Sequence, residues 1–425
     1  MNDGTVVIVD AYQPTRRLAP AFLDAGFRCV RVQSTRDFPA VYRKPFTADQ
    51  FLANVVHDGD ITRTAEQIAL YNPVAVIPGG EIGVELADAL SERLDVPTNG
   101  TAQSSARRDK VRMAETVRAA GLRAPRQIEV RNENALRRWH AQIGGRVVVK
   151  PARSSGGEGV HFCDTPEQSV AAYRVTAGTR NLFSQTNECI LAQEYVAGIE
   201  YVVNAVSRDG RHHVCDMWRT SRLSRNDVLD LCDAVHLMPR EGQAQDQLAA
   251  YAEQVLDALG IRHGPSHLEI KMTADGPCLI EAAARIPGAD LPHYARLALG
   301  ESQLDWIVDA YLRPERFLAR CHHPYRLRRH FASVAMISPV DGELSGYRGL
   351  DEIDRLESLL EVRALVSPGD RIRRTVDDLT YPMIVNLMHE VEAYVLRDAA
   401  TVRYLDGPAF YELAAASVAG RGCAW

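Results

Sequence analysis

Glu269 and Glu281 stand twelve residues apart in a segment that reads as a β-hairpin, and two hard oxygen ligands so spaced suit a divalent cation that carries nucleotide phosphates. Two runs with alternating apolar residues, Leu268/Ile270/Met272 and Cys278/Ile280/Ala282, flank the turn signal Ala274-Asp275-Gly276-Pro277. With Asp275 at the apex, Glu269 lies opposite Glu281, and His267, Lys271, Ala283 and Arg285 share their face by the two-residue period of a strand. Like charges directly opposite on neighbouring strands are destabilising. A Mg²⁺ ion removes that penalty, because it takes one or two carboxylates together with substrate phosphates. Arg285, two pleats beyond Glu281, reaches towards a transferring phosphoryl group. The same residues also fit a solvated hairpin face whose acids pair with Lys271 and Arg285.

The elements that must position this hairpin come from an ordinary globular chain. Its 425 residues suggest about three domains. A formal charge of −6 without a dense Lys/Arg block argues against nucleic acid as the main partner. No basic start and apolar core of a signal peptide precedes the first strand and no apolar run reaches membrane length, so a cytoplasmic protein off the membrane is expected. Cys29, Cys163, Cys189, Cys215, Cys232, Cys278, Cys321 and Cys423 show no Cys-x-x-Cys spacing, so buried thiols are expected, with neither a zinc site nor a disulfide framework. Strands over 6–10, 29–32 and 74–78 alternate with helical stretches over 17–25, 61–71 and 81–94, a doubly wound α/β pattern.

Several further segments carry chemistry-bearing residues. Pro78-Gly79-Gly80-Glu81 lies where a strand passes into a helix, so Glu81 can meet a substrate ammonium or simply favour a helix N-terminus. A polar helix over 104–120 contains Lys110. A strand over 146–151 ends in Lys150 and runs into Ser154-Ser155-Gly156-Gly157-Glu158-Gly159, where backbone amides can approach a phosphate, although Gly and Ser also dominate ordinary turns. Two strands bend at Ala197-Gly198. The connector Gln193-Glu194-Tyr195-Val196 can sandwich an adenine and Glu200 can accept ribose hydroxyls, while a buried strand pair is the plain alternative.

In this order the features resemble the ATP-grasp superfamily and, within it, the carboxylate–amine ligases of the L-amino acid ligase type. The resemblance spans nearly the whole chain. It implies an ATP-grasp fold, α/β and α+β, with an N-terminal doubly wound pre-ATP-grasp domain over 1–105. The ATP-grasp domain would follow over 106–325 with a mobile lid at about 125–205, and a C-terminal α+β subdomain over 326–425. Asp109-Lys110 and Val149-Lys150-Pro151 match the two ATP lysines, Ser154, Ser155, Gly156 and Gly157 the phosphate loop, Gln193 to Val196 the adenine hinge, and Glu200 the ribose acid. Glu269 and Glu281 match the Mg²⁺ carboxylates and Arg285 the arginine that stabilises the acyl-phosphate. Many members carry Asn two residues after the second carboxylate, where this chain has Ala283. Water or phosphate must then fill that position, and the resemblance implies one or two ions, Mg²⁺ or Mn²⁺.

Asp233-x-x-His236-x-x-Pro239 resembles the branch's element that faces the amino acid. There Asp233 would hold the ammonium and His236 take or relay its proton, since an α-amine with a pKa of about 7.7–8.0 is not nucleophilic while protonated. His267, Gly288 and Ala289 are expected on the substrate side, with Ala289 leaving room. The implied reaction joins an amino acid or related carboxylate to an amine through an acyl-phosphate, giving a dipeptide or amide with ADP and phosphate in a specialised-metabolite pathway. An ATP-grasp carboxylase and a nucleotide-binding regulator are the alternative readings. A symmetric homodimer is the general expectation for a soluble enzyme.

Overall fold

The computed structural model describes residues 4–12, 15–37, 39 and 48–414; Cys423 lies outside them. The chain divides into two compact units, Met1–Arg219 with Leu237–Arg328, and Thr220–His236 with Arg329–Trp425.

The first unit opens with a parallel sheet in the order Phe51–Val56, Arg28–Gln33, Thr5–Val9, Pro73–Pro78. Its central strands are buried on both faces, as parallel sheets require. Val6, Ile8 and Ile77 pack with Phe22, Trp306, Ile307 and Phe317, while Val7, Val9, Val30 and Val76 pack with Ile68, Ala87 and Leu90. Strand Phe51–Val56 was not legible in the sequence. It lies at the sheet edge and alternates half-buried and exposed residues, so it lacks the apolar run that marks its neighbours.

A second layer of the same unit is an antiparallel sheet in the order Gln127–Glu129, Ile190–Glu194, Val147–Pro151, His161–Cys163. Helices Glu133–Ile143 and Pro166–Thr176 cover it through Leu136, Val170 and Ala172. The third part is antiparallel too: Gly276–Ala283 pairs with Gly264–Thr273, which pairs with Ile199–Arg208. Helices Gln243–Ala258 and Gln303–Leu312 back these strands.

The expected helix over 104–120 is two pieces, a 3-10 turn Ser104–Arg107 and the helix Lys110–Ala119. Asp109 makes the break, because its carboxylate accepts hydrogen bonds from the backbone N–H groups of Val111 at 2.9 Å and Arg112 at 3.3 Å. Lys110 is therefore the first residue of its helix.

The second unit holds strands Val228–Leu237, His330–Ala335, Met383–His389 and Leu359–Ala364 as neighbours, with helix Glu392–Leu405 packing Val395 and Val402 into the core that contains Met383 and Val385. Strand Arg211–Arg225 enters it after Arg219 and turns at Asn226-Asp227, both left-handed with φ of 59° and 61°, as a two-residue hairpin turn demands. Among the described residues no helix is long and apolar enough to cross a membrane. None of the described cysteines is in a disulfide; Cys29, Cys163, Cys215 and Cys278 are buried, whereas Cys189, Cys232 and Cys321 are half-buried.

A buried ion pair ties the first unit together. The Arg107 guanidinium is fully buried, donating to Asp88 Oδ2 at 3.0 and 3.1 Å and to the carbonyls of Leu259 (2.9 Å) and Gly100. Removing one partner of such a pair strands the other charge. Arg107→Ala is expected to lower the unfolding free energy by about 3–5 kcal/mol, measured by urea denaturation; a loss below about 1 kcal/mol, the range of an exposed pair, would contradict this role.

Candidate active site

The hairpin sets Glu269 directly across from Glu281 and His267 across from Ala283, as the sequence pattern predicts. Nearer the tip the pairing shifts: Ile270 faces Leu279, Lys271 faces Cys278, and Thr273 faces Gly276 around a two-residue turn at Ala274-Asp275. Two corrections follow. The apex is shared by Ala274 and Asp275 rather than lying on Asp275, and Leu279 takes the place expected of Ile280 opposite buried Ile270. The extra residue, Ile280, is a bulge, which bends the strand immediately before Glu281.

Two lysines converge on these carboxylates. Lys110 Nζ lies 3.0 Å from Glu281 Oε1 and donates to the Ser154 carbonyl at 2.8 Å, so it joins the hairpin to the glycine-rich loop. Lys150, the penultimate residue of its strand, is buried. Burial and the neighbouring Lys110 charge push its amine down to about 8, against Glu281 and Glu269, which hold it up. The loop that follows Lys150 turns through Gly156, Gly157 and Gly159 at φ of 67°, 74° and 68°, a conformation available to glycine without strain. Arg153 anchors its start to Glu85 (3.2 Å) and Asp109 (3.4 Å), and Glu158 accepts from the Leu182 N–H at 2.8 Å. Ser154 is buried and Ser155 half-buried.

The expected adenine hinge follows strand Ile190–Glu194. Gln193 donates to Gln127 at 2.8 Å, which donates to the Lys110 carbonyl at 2.9 Å. The Glu194 carboxylate is held by Arg126 through its backbone N–H (2.7 Å) and Nε (2.6 Å). Tyr195 has the Lys271 ammonium 4.8 Å from its ring centre, and half-buried Val196 continues the connector. Glu200, also buried, is the register partner of Lys271. Gly198 lets the connector cross the hairpin, since a Cβ there would collide with the Met272 carbonyl oxygen.

Glu81 sits in a buried cluster that sequence reasoning did not anticipate. Its Oε1 accepts from Arg108 Nη1 at 2.9 Å and its Oε2 from Arg285 Nε at 2.7 Å. Burial raises its carboxyl, but Arg285 and Arg108 outweigh burial and hold it down to about 2. Arg108 could have been suspected only from its place beside Lys110. Gly288 has no neighbour near a would-be Cβ, while Ala289 and Asp290 both adopt left-handed backbone with φ of 56° and 58°. Arg16 and Arg17 hold the Asp290 carboxylate, Arg17 at 3.2 Å. His267 Nδ1 lies 2.8 Å from Asn204 Oδ1, and its Nε2 is 3.6 Å from Glu269 Oε1.

The structure thus brings Lys110, Lys150, Glu269 and Glu281 together, with His267 beside Glu269, and joins Arg285 to Glu81. Asp233 and His236 belong to the second unit, on strand Val228–Leu237. There Asp233 makes a 2.5 Å ion pair with Arg403 that lacks hydrogen-bond alignment. Among the described residues no group of three His, Cys, Asp or Glu side chains is placed to hold a metal by protein alone. Two opposed carboxylates next to two buried ammonium groups instead fit Mg²⁺ held partly by phosphate oxygens.

Fold and site together define an ATP-dependent enzyme. Residues 143–292 match the ATP-grasp domain family. The chain is 32% identical to dapdiamide A synthase of Enterobacter agglomerans over 97% of its own length and 98% of that protein's. An L-amino acid ligase structure from Bacillus licheniformis superposes with a TM-score of 0.72 at 18% identity, covering 95% of this chain and 97% of that one. The ADP complex of N5-carboxyaminoimidazole ribonucleotide synthetase shares the fold with a TM-score of 0.66 at 18% identity, over 96% and 98% of the two chains. The chain belongs to the ATP-grasp superfamily, whose members use ATP with Mg²⁺, as a ligase of the dapdiamide synthase and L-amino acid ligase type.

If nucleotide phosphates meet Lys150, whose amine is depressed, binding is expected to depend on pH. Phosphates favour its charged form, so affinity is full below about 8 and falls as pH rises through that value, with proton uptake on binding. Titration calorimetry of MgADP in buffers of different ionisation enthalpy should detect this uptake at pH 8.5; its absence would contradict the assignment.

Proposed function

We propose that the protein activates the carboxylate of an amino acid or related small acid as an acyl-phosphate and transfers the acyl group to the amine of a second substrate. The product is a dipeptide or similar amide, with ADP and phosphate, made for a peptide natural product. The observation that carries this reading is the pairing of Glu269 with Glu281 beside Lys110 and buried Lys150. The name of the 32% identical relative supports an amide product.

Bound MgATP supplies the γ-phosphoryl group and the metal's charge. Glu269 and Glu281 hold the ion, one or two in number, and Lys110 and Lys150 neutralise charge that develops on the phosphates. Ser154, Ser155, Gly156 and Gly157 cover the nucleotide and keep water from a hydrolysable intermediate. Gln193 to Val196 receive the adenine, with main-chain groups at its edge because the Glu194 carboxylate is engaged by Arg126. Glu200 accepts from the ribose. Arg285 stabilises the acyl-phosphate and the oxyanion formed when the amine attacks, and Glu81 aims it by holding Nε. Asp233 receives the ammonium, His236 takes its proton, and Gly288 with Ala289 leave space for the substrate side chain. We assign residues 1–105, 106–325 with a lid near 125–205, and 326–425 to three domains of a homodimer.

The test is phosphate release from MgATP across pairs of amino acids and small acids, with mass spectrometry of each product and Glu281→Ala as control. Release that needs two substrates and yields a new amide mass, reduced by at least about 100-fold in the control, a few kcal/mol of lost transition-state stabilisation, is expected. Release driven by bicarbonate alone would instead make the protein a carboxylase.

A further inference from the structure

A line of buried polar side chains crosses three strands of the first unit and ends at Glu269. Asp216 in strand Arg211–Arg225 is buried. Its Oδ1 accepts from Trp218 Nε1 and from Asn204 Nδ2, both at 2.5 Å. Asn204 in strand Ile199–Arg208 is the register partner of His267 in strand Gly264–Thr273. No sequence signal marks Asp216 or Asn204, because their meaning comes from partners on neighbouring strands.

The donors and acceptors along this line fix one another. An indole N–H can only donate, so Asp216 Oδ1 is an acceptor, and Asn204 must turn its amide nitrogen towards it. The Asn204 oxygen then faces His267 Nδ1 at 2.8 Å. An amide oxygen only accepts, so the hydrogen of neutral His267 sits on Nδ1 and Nε2 carries a bare lone pair. That lone pair is 3.6 Å from Glu269 Oε1. Two acceptors so spaced are satisfied together by one water that donates a hydrogen to each, and Mg²⁺ usually keeps several of its waters. Ala283, directly opposite His267, contributes only a methyl group there.

We propose that Asp216 and Asn204 act as positioning residues that lock His267 in its Nδ1–H form, so that His267 Nε2 and Glu269 jointly hold a water of the metal bound at the Glu269–Glu281 pair. This inference rests on the ligase reading and assigns His267 to the metal's hydration in place of the substrate contact expected from sequence.

The experiment measures Mn²⁺·ADP and metal-free ADP binding by calorimetry, and the His267 tautomer by nitrogen-15 NMR of the ligand-free protein. His267→Phe should weaken Mn²⁺·ADP by about 10–100-fold while metal-free ADP binds as in the wild type. Asn204→Leu, with His267 intact, should weaken Mn²⁺·ADP in the same direction and remove the Nδ1–H signature. Equal losses with and without metal would mean a merely structural role. A wild-type spectrum showing Nε2–H or an imidazolium at neutral pH would overturn the tautomer argument. Failure of the wild type to bind Mn²⁺·ADP would count against the ligase reading itself; unchanged Mn²⁺·ADP binding in His267→Phe would sink only this inference.

Discussion

Two glutamates held face to face on neighbouring strands are the constraint on which the rest of the site depends. The arrangement is unfavourable unless positive charge compensates it, and two lysines of the protein stand close enough to do so. Lys110 contacts Glu281 at 3.0 Å, while Lys150 is buried nearby with its amine pushed down to about 8. A divalent cation and a polyphosphate bound there would relieve lysine depression and carboxylate opposition together.

Each neighbouring element can be understood by what it does for that cluster. Asp109 stops one turn and starts a helix so that Lys110 heads it, with the side chain against the glycine-rich loop. Glu81 gives up both carboxylate oxygens to Arg108 and Arg285, which removes it from solution chemistry and fixes the arginine instead. Gly79, Gly80 and Gly83 let the chain carrying Glu81 lie against the Val9–Ala11 backbone, where a Cβ would come within 3.1 Å of main-chain atoms. The Glu81 carboxylate is tolerated this deeply buried because both of its oxygens have a partner.

Much of this was legible in the sequence, and the misses have physical causes. The fully buried strands Thr5–Val9 and Pro73–Pro78 announce themselves as apolar runs, and the opposition of Glu269 and Glu281 follows from alternation about a turn. The bulge at Ile280 does not, because one extra residue leaves the composition of a strand unchanged while shifting half its pairs. Edge strand Phe51–Val56 has too little burial to show a pattern. Arg108, Asn204 and Asp216 gain meaning only from partners on other strands or loops, as with Glu81 and Arg285, 204 residues apart. Family resemblance supplied the roles of Lys110 and Lys150, which look like ordinary charges when read alone.

An acyl-phosphate mechanism requires a carboxylate oxygen of the substrate to become bonded to phosphorus. The direct measurement is to run the ligation with an acid substrate labelled with oxygen-18 in its carboxylate and to analyse the released phosphate by mass spectrometry or phosphorus NMR. Acyl-phosphate chemistry predicts that one labelled oxygen per turnover moves into phosphate while the new amide keeps the other. Amide formation with unlabelled phosphate would contradict it.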